Sequence, residues 1–320
     1  MRRIVVTAFA VSCLAAMASG AVDAGVVGGG NDDELVPTGK GWGERPAPAP
    51  GPGQGAGQGQ GNAQGQGKPS HGGGGTNGIS YHGGPVMLGT TNVYYIWYGN
   101  WSGNSATTLL QDLAANIGGS PYFNINTTYY NGSTTHVTNA VTYAGSTTDS
   151  YSRGTSLTDA AIQAIVASHV SKDLPSDRNG VYFVLTSADV NASSGFCTQY
   201  CGWHTHATIA GLDVKYAFVG NPDRCPSACA EQTISPNSNA GADGMASIIS
   251  HELEESVTDP DLNAWYDTRG QENADKCAWT FGSTLTAGNG SKFNVTLGGN
   301  NFLIQQNWVN ASGGKCAMSF

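Results

Sequence analysis

The stretch Ser250-His251-Glu252-Leu253-Glu254-Glu255-Ser256 sits inside Asp243 to Asp259, the segment whose reading decides the fold. Met245, Ile249, Leu253 and Val257 recur every four residues, which is the apolar stripe of a helix. Asp243 can cap its start, because a carboxylate there accepts from the free N–H groups of the first turn. Thr258-Asp259-Pro260 ends it, since the residue before a proline is driven out of the helical region. His251 and Glu255 are one turn apart and project side by side, with Glu252 on the same general side. The pattern H-E-x-x-E differs by one residue from the H-E-x-x-H zinc helix. There, two residues at i and i+4 hold the metal and the Glu between them is the base.

Three carboxylates and an imidazole within five residues create a conflict. Carboxylates that are buried close together must find a partner or take up a proton, and a divalent cation removes the problem. The competing reading is a solvated acidic edge, the usual fate of a charge run. Five letters alone do not decide between the two.

Working outward, Asn92 to Tyr98 reads as a strand of β-branched and aromatic residues. Thr107 to Ile117 carries Leu109, Leu110, Leu113 and Ile117 at helical spacing. Thr134 to Tyr143 reads as a strand, with Tyr129-Tyr130 opening a hairpin. Thr158 to Val170 reads as a helix. Gly180 to Thr186 is a continuous apolar run that suits a central strand, and Ala207 to Gly220 supplies one or two more strands. The expected class is α+β: a single domain with a mixed sheet and an active-site-type helix, in an order found in zincin-type metallopeptidases. That likeness is fold-level analogy, and function must be argued from the site.

Residues 1–20 have Arg2 and Arg3, an apolar run from Ile4 to Met17 and small residues Ala18 to Ala21, the layout of a secretory signal peptide. The run is shorter than the ~20 residues a membrane helix needs. Loss of Arg2 and Arg3 takes the formal charge from −9 to −11, which disfavours nucleic acid and anionic membranes as partners. Residues 21–78, with Pro46 to Pro50 and a Gly/Gln tract from Gly51 to Gly67, read as a linker without a core. Residues 79–320 then form the globular domain.

Downstream of the helix come Asn263-Ala264-Trp265-Tyr266 and Glu272-Asn273-Ala274-Asp275-Lys276-Cys277. Upstream are Phe196-Cys197 to Cys201-Gly202 with His204, and Cys225-Pro226 to Cys229. H-E-x-x-E, then N-A-W-Y, then E-x-x-D-x-C in this order resembles the EXORDIUM/phosphate-induced protein family, over residues 80 to 320. The chain departs from the family pattern at Glu254, where a small or apolar residue is usual, and in the only loosely Gly-rich run Ala278 to Gly290. The resemblance implies association with the plant cell wall and with growth and nutrient responses, and it brings no firm enzymatic activity. It also makes His204 a candidate for the cleft.

Cys13 leaves with the signal, and the six remaining cysteines suggest three disulfides in an exported chain. The expected pairs are Cys197–Cys201, Cys225–Cys229 and Cys277–Cys316; the alternative is a zinc knuckle from the two C-x-x-x-C pairs. Seven N-x-S/T sequons start at Asn100, Asn126, Asn131, Asn191, Asn289, Asn294 and Asn310. In a glycosylating host they mark surface loops of a glycoprotein, but the sequence does not identify the host. His204 and His206, two apart, face one side if they lie on a strand; for His206 a polar loop held by the Cys197–Cys201 bridge is the simpler reading. His82, His136 and His169 read as surface or hydrogen-bonded structural residues.

The chemistry expected is a Zn²⁺ site held by His251 and Glu255 with a third ligand from Glu272 or Asp275, Glu252 acting as base in a metallopeptidase-like hydrolase. Ca²⁺ fits less well, because His251 is not an oxygen ligand. The alternative is a non-catalytic extracellular or wall-associated protein with a structural metal site, its partner a protein or polysaccharide. Trp97, Trp101, Trp203 and Trp265 could stack on sugars, although such tryptophans are more often core.

Overall fold

A computed structural model describes residues 36–40, 78–132 and 134–320. The expected signal peptide, and the expected linker apart from residues 36–40 and 78, lie outside the described residues.

Five strands form the central sheet: β1 (Thr91–Tyr98), β2 (Val141–Asp149), β3 (Gly180–Thr186), β4 (Gly202–Ile209) and β5 (Leu212–Val219). Their spatial order is β2-β1-β3-β5-β4. The first four in that order are parallel, and β4 runs antiparallel to β5 at the edge. The continuous apolar run of β3 is buried along its whole length, as a strand covered on both faces requires. β2 instead alternates half-buried and exposed residues, as an edge strand does.

Three helices cover the sheet: α1 (Ala106–Asn116), α2 (Asp159–His169) and α3 (Ala240–Thr258). The β1-α1-β2 and β2-α2-β3 crossovers step in opposite directions along the sheet. Right-handed connection therefore puts α1 and α2 on opposite faces. α3 packs on α1, β4 and β5.

Beyond α3 the chain makes short two-stranded ribbons. Trp265–Tyr266 pairs with Ser80–Tyr81, and Asn307–Val309 pairs with Lys315–Ala317. The stretch from Thr134 does not form the expected strand. The strand begins at Val141; upstream, Phe123–Thr128 winds into a 3-10 helix, and the expected hairpin at Tyr129-Tyr130 is reduced to an isolated bridge between Tyr130 and His136. The sequon at Asn126 is not on the surface; that residue is fully buried.

Two of the expected disulfides are replaced. Cys197 bonds Cys225 and Cys201 bonds Cys229, each spanning 28 residues, while Cys277–Cys316 forms as expected. The two C-x-x-x-C turns lie side by side, so corresponding positions face each other across the gap. Spacing within a turn carries no information about which turn packs beside it. With all four of these sulfurs in disulfides, a zinc knuckle is excluded.

Candidate metal centre

Helix α3 starts three residues before Asp243. Asn239 is its cap, the side-chain oxygen accepting from Ala242 N–H at 3.0 Å. Asp243 is instead buried in the first turn, accepting from Ser235 and from the Asn237 amide. Every residue from Gly241 to Thr258 is buried, so the helix is covered all round rather than along one stripe. That removes the solvated-edge reading: His251, Glu252, Glu254 and Glu255 are at most 1% exposed.

Two overlapping groups of ligand atoms form around Glu255. In the first, His251 Nε2 lies 3.1 Å from Glu255 Oε1 and 3.6 Å from Asp275 Oδ1. In the second, His204 Nε2 lies 3.2 Å from Glu272 Oε1 and 3.6 Å from Glu255 Oε2. Each triad gathers its ligand atoms within 4.8 Å of one another. The E-x-x-D motif supplies one carboxylate to each, because the 3-10 turn Asp275–Cys277 folds Asp275 back toward α3. Asp275 N–H donates to Glu255 Oε1 at 3.1 Å and fixes the register. His204 comes from β4, the strand on which α3 packs.

Glu252 faces the same region. A Cβ placed on Gly202 would lie 3.0 Å from Glu252 Oε1, 2.5 Å from Ile248 Cγ2 and 2.9 Å from the Phe218 carbonyl oxygen. Glycine at the start of β4 is therefore what lets α3 approach the sheet. Both carboxylate oxygens of Glu252, both ring nitrogens of His251, Glu255 Oε2 and Asp275 Oδ1 are buried without a hydrogen-bond partner.

The electrostatics express the same shortage of counter-charge. Burial pushes Glu252 well above the usual carboxylate range; His251 opposes this, and Glu255 and Asp275 add to it. Glu272 is raised likewise, by burial and then by Glu255 and three further acids. Burial opposes charge on His251, but Glu255, Asp275 and Glu252 outweigh it and hold the imidazole well above its ordinary value. His204, where burial dominates, is lowered to about 4.

The remaining candidates separate cleanly. Glu254 belongs to neither triad and accepts from the Asn307 amide; burial raises it well above the usual range. His206 is on β4 rather than in a loop, and pairs with Asp213 at 2.8 Å. Its third neighbour, Asp261, is already bonded to Lys215 at 2.9 Å, so this cluster carries its own cation. Asp259 and Asp267 cap turns: Asp259 Oδ1 accepts from Asn263 and Ala264 N–H, and Asp267 Oδ1 from Arg269 and Gln271 N–H. Trp97, Trp101, Trp203 and Trp265 are all core residues.

Glu272 and Asp275, expected as alternatives for one position, lie against different imidazoles, Glu272 beside His204 and Asp275 beside His251. His169 is a hydrogen-bonded structural residue as expected, its ring meeting Asp173 at 2.7 Å and Asp149 at 3.3 Å.

The matches to known proteins span the domain that carries these elements. Residues 79–316 match the phosphate-induced protein 1 conserved region. The chain is 34% identical to Protein EXORDIUM-like 5 of Arabidopsis thaliana over 273 residues, covering 72% of this chain and 75% of that protein. It is 32% identical to Protein EXORDIUM-like 3 of the same plant, covering 72% and 80%, and 28% identical to Protein PHOSPHATE-INDUCED 1 of Nicotiana tabacum, covering 59% and 67%. No solved structure matches. The buried H-E-x-x-E helix, the N-A-W-Y ribbon and the E-x-x-D-x-C turn thus belong to a chain that is a member of the EXORDIUM/phosphate-induced protein family.

Proposed function

We propose that this is an exported metalloprotein whose buried centre binds a divalent cation, with the donor set of a zinc hydrolase. The observation that carries the reading is the group of buried polar atoms on His251, Glu252, Glu255 and Asp275 that make no hydrogen bond, the closest contacts among them being ion-pair distances of 3.1–3.6 Å to one another or to His204. A buried polar group without a partner costs about 1–3 kcal/mol, more when charged, so this many in one place call for a missing positive charge.

His251, Glu255 and Asp275 are the ligands of choice, the three protein groups that a catalytic zinc site usually has. His204 and Glu272 flank them through the shared Glu255. Two imidazoles beside the carboxylates favour Zn²⁺ over Ca²⁺, which takes oxygen ligands. A zinc ion there would supply Lewis acidity and lower the pKa of a bound water to about 7. Glu252 is not needed as a ligand. Its carboxylate can hold a proton, because burial favours the neutral form, which suits a general base that later returns the proton. The zincin-like comparison rests on this helix and the antiparallel edge strand beside it. Three disulfides support export, since they persist in oxidising compartments, and wall association is the extension the family resemblance suggests.

Elemental analysis of the purified protein tests the reading. Near-stoichiometric metal in wild type, lost in His251→Ala, is expected; a metal-free wild type refutes it. Catalysis is a separate question. Cleavage of an unstructured protein that vanishes in Glu252→Gln, with metal retained, supports the hydrolase. The near-complete burial of the centre favours a second reading, a structural cation in a binding or wall protein. Retained metal and no turnover would select it.

A further inference from the structure

β4 ends the sheet, and an edge strand exposes N–H and C=O groups that pair readily with another chain. Here residues 36–40 of the same chain lie against it, although the sequence gives that region no reason to be ordered. His204 N–H donates to the Gly39 carbonyl at 3.1 Å. Gly39 has φ +69°, and a Cβ on it would lie 1.8 Å from the His204 carbonyl oxygen, so only glycine fits. Pro37 and Gly39 are buried while Thr38 faces out.

The next residue enters a slot. Lys40 Nζ meets the Asp159 carboxylate in the first turn of α2 and stands 5.3 Å from the Tyr200 ring centre and 5.4 Å from that of Trp203. Asp159 is itself oriented by Ser194 Oγ, which donates to it at 2.6 Å. One carboxylate and two aromatic faces recognise a primary ammonium. Each contact is individually weak: the ion pair is partly exposed at both ends, at 30% and 45%. A segment held this way can exchange with a competitor.

We propose that the outer edge of β4, with the Asp159–Tyr200–Trp203 slot, is a binding site for a short peptide carrying Gly-Lys that bends at its left-handed glycine, and that Val36–Lys40 is its intramolecular occupant. The backbone-to-backbone bond, the close approach only glycine permits and the ammonium slot together specify a peptide. The site needs no cation and stands apart from the metal reading. His204 joins the two, giving its backbone to the peptide and its imidazole to the cluster, so a peptide bound here lies alongside the centre.

The test uses the full chain and the blocked peptide Val-Pro-Thr-Gly-Lys, read by the NMR shift of the His204 amide. Covalent attachment gives the native segment an effective concentration on the order of millimolar. Wild type should therefore respond only at high peptide, and Lys40→Glu, with its own occupant weakened, at about tenfold lower peptide. Gly39→Val should behave alike. Asp159→Asn in the Lys40→Glu background should weaken binding about threefold, and Val-Pro-Thr-Ala-Lys should not bind. Absence of a shift in folded Lys40→Glu, or equal binding of the glycine and alanine peptides, overturns the proposal. Because Lys40 is partly exposed, that variant folds even if Gly39→Val does not. Metal content measured on the same samples speaks to the centre alone, so the two ideas fail independently.

Discussion

At Gly202 a single hydrogen atom separates a formed site from a disrupted one. Gly202→Ala must push Ile248 or α3 away from the sheet, and overpacking of this kind costs about 1–3 kcal/mol. A lower urea midpoint together with weakened metal binding is expected, since Glu252 lies against the same contact and α3 carries His251 and Glu255. Glu231 offers a residue-scale pH test. Burial pushes it up to about 8, and Asp243 adds to the shift. Its folded value lies above its unfolded one, so the folded state holds the proton more tightly. That stability is fully present below the ordinary carboxylate pKa and is lost as pH rises toward 8. Glu231→Gln should flatten the fall in Tm between about pH 5 and 8; an unchanged slope would show that the side chain is solvated.

At the scale of elements, the cap of α3 ties the helix to its neighbour. Besides capping α3, Asn239 donates to Asn104 and Ser105 at the start of α1, at 2.8 and 2.9 Å. Loss of a helix cap costs about 0.5–2 kcal/mol. Asn239→Ala should fall at the upper end of that range by chemical denaturation, because it removes both connections at once. The N-A-W-Y segment likewise serves structure. Trp265 Nε1 donates to the Tyr130 carbonyl at 2.8 Å, while Ala264 O accepts from His82 N–H at 2.7 Å. The ribbon fastens the segment carrying Glu272 and Asp275 to the start of the domain.

For the whole molecule, the raised acids set the pH dependence of the metal-free protein. Glu252, Glu254 and Glu272 all have folded values above their ordinary ones, as does His251. Each therefore contributes stability at low pH that is lost as pH rises. His204, lowered to about 4, works the other way between there and its ordinary 6.5. The acids outnumber it, so Tm of the chelator-treated protein should fall from about pH 5 to 8. Zinc should reverse the slope, because ligation requires deprotonated groups, and should add about 2.7 kcal/mol at 100 times Kd. A slope unaffected by metal would refute the centre. The Cys201→Ser/Cys229→Ser pair should cost about 3–4 kcal/mol, as for a loop of this length; disulfide mapping should return Cys197–Cys225 in that variant.

Periodicity and local chemistry determined a good deal. The four-residue stripe gave α3, the β-branched runs gave β1 and β3, and the helix read over Thr158 to Val170 is α2, Thr158 forming its cap by accepting from Ala161 N–H. The spacing of His251 and Glu255 set them on one turn before any contact was known. What depends on which surface meets which could not be read this way. The cross-laced disulfides, the division of Glu272 and Asp275 between two imidazoles, the burial of an acidic run that resembles a solvated edge, and the seating of Val36–Lys40 on β4 all arise from long-range packing. Helical and strand periods report one element at a time, whereas these four features are fixed by distances between elements remote in the chain.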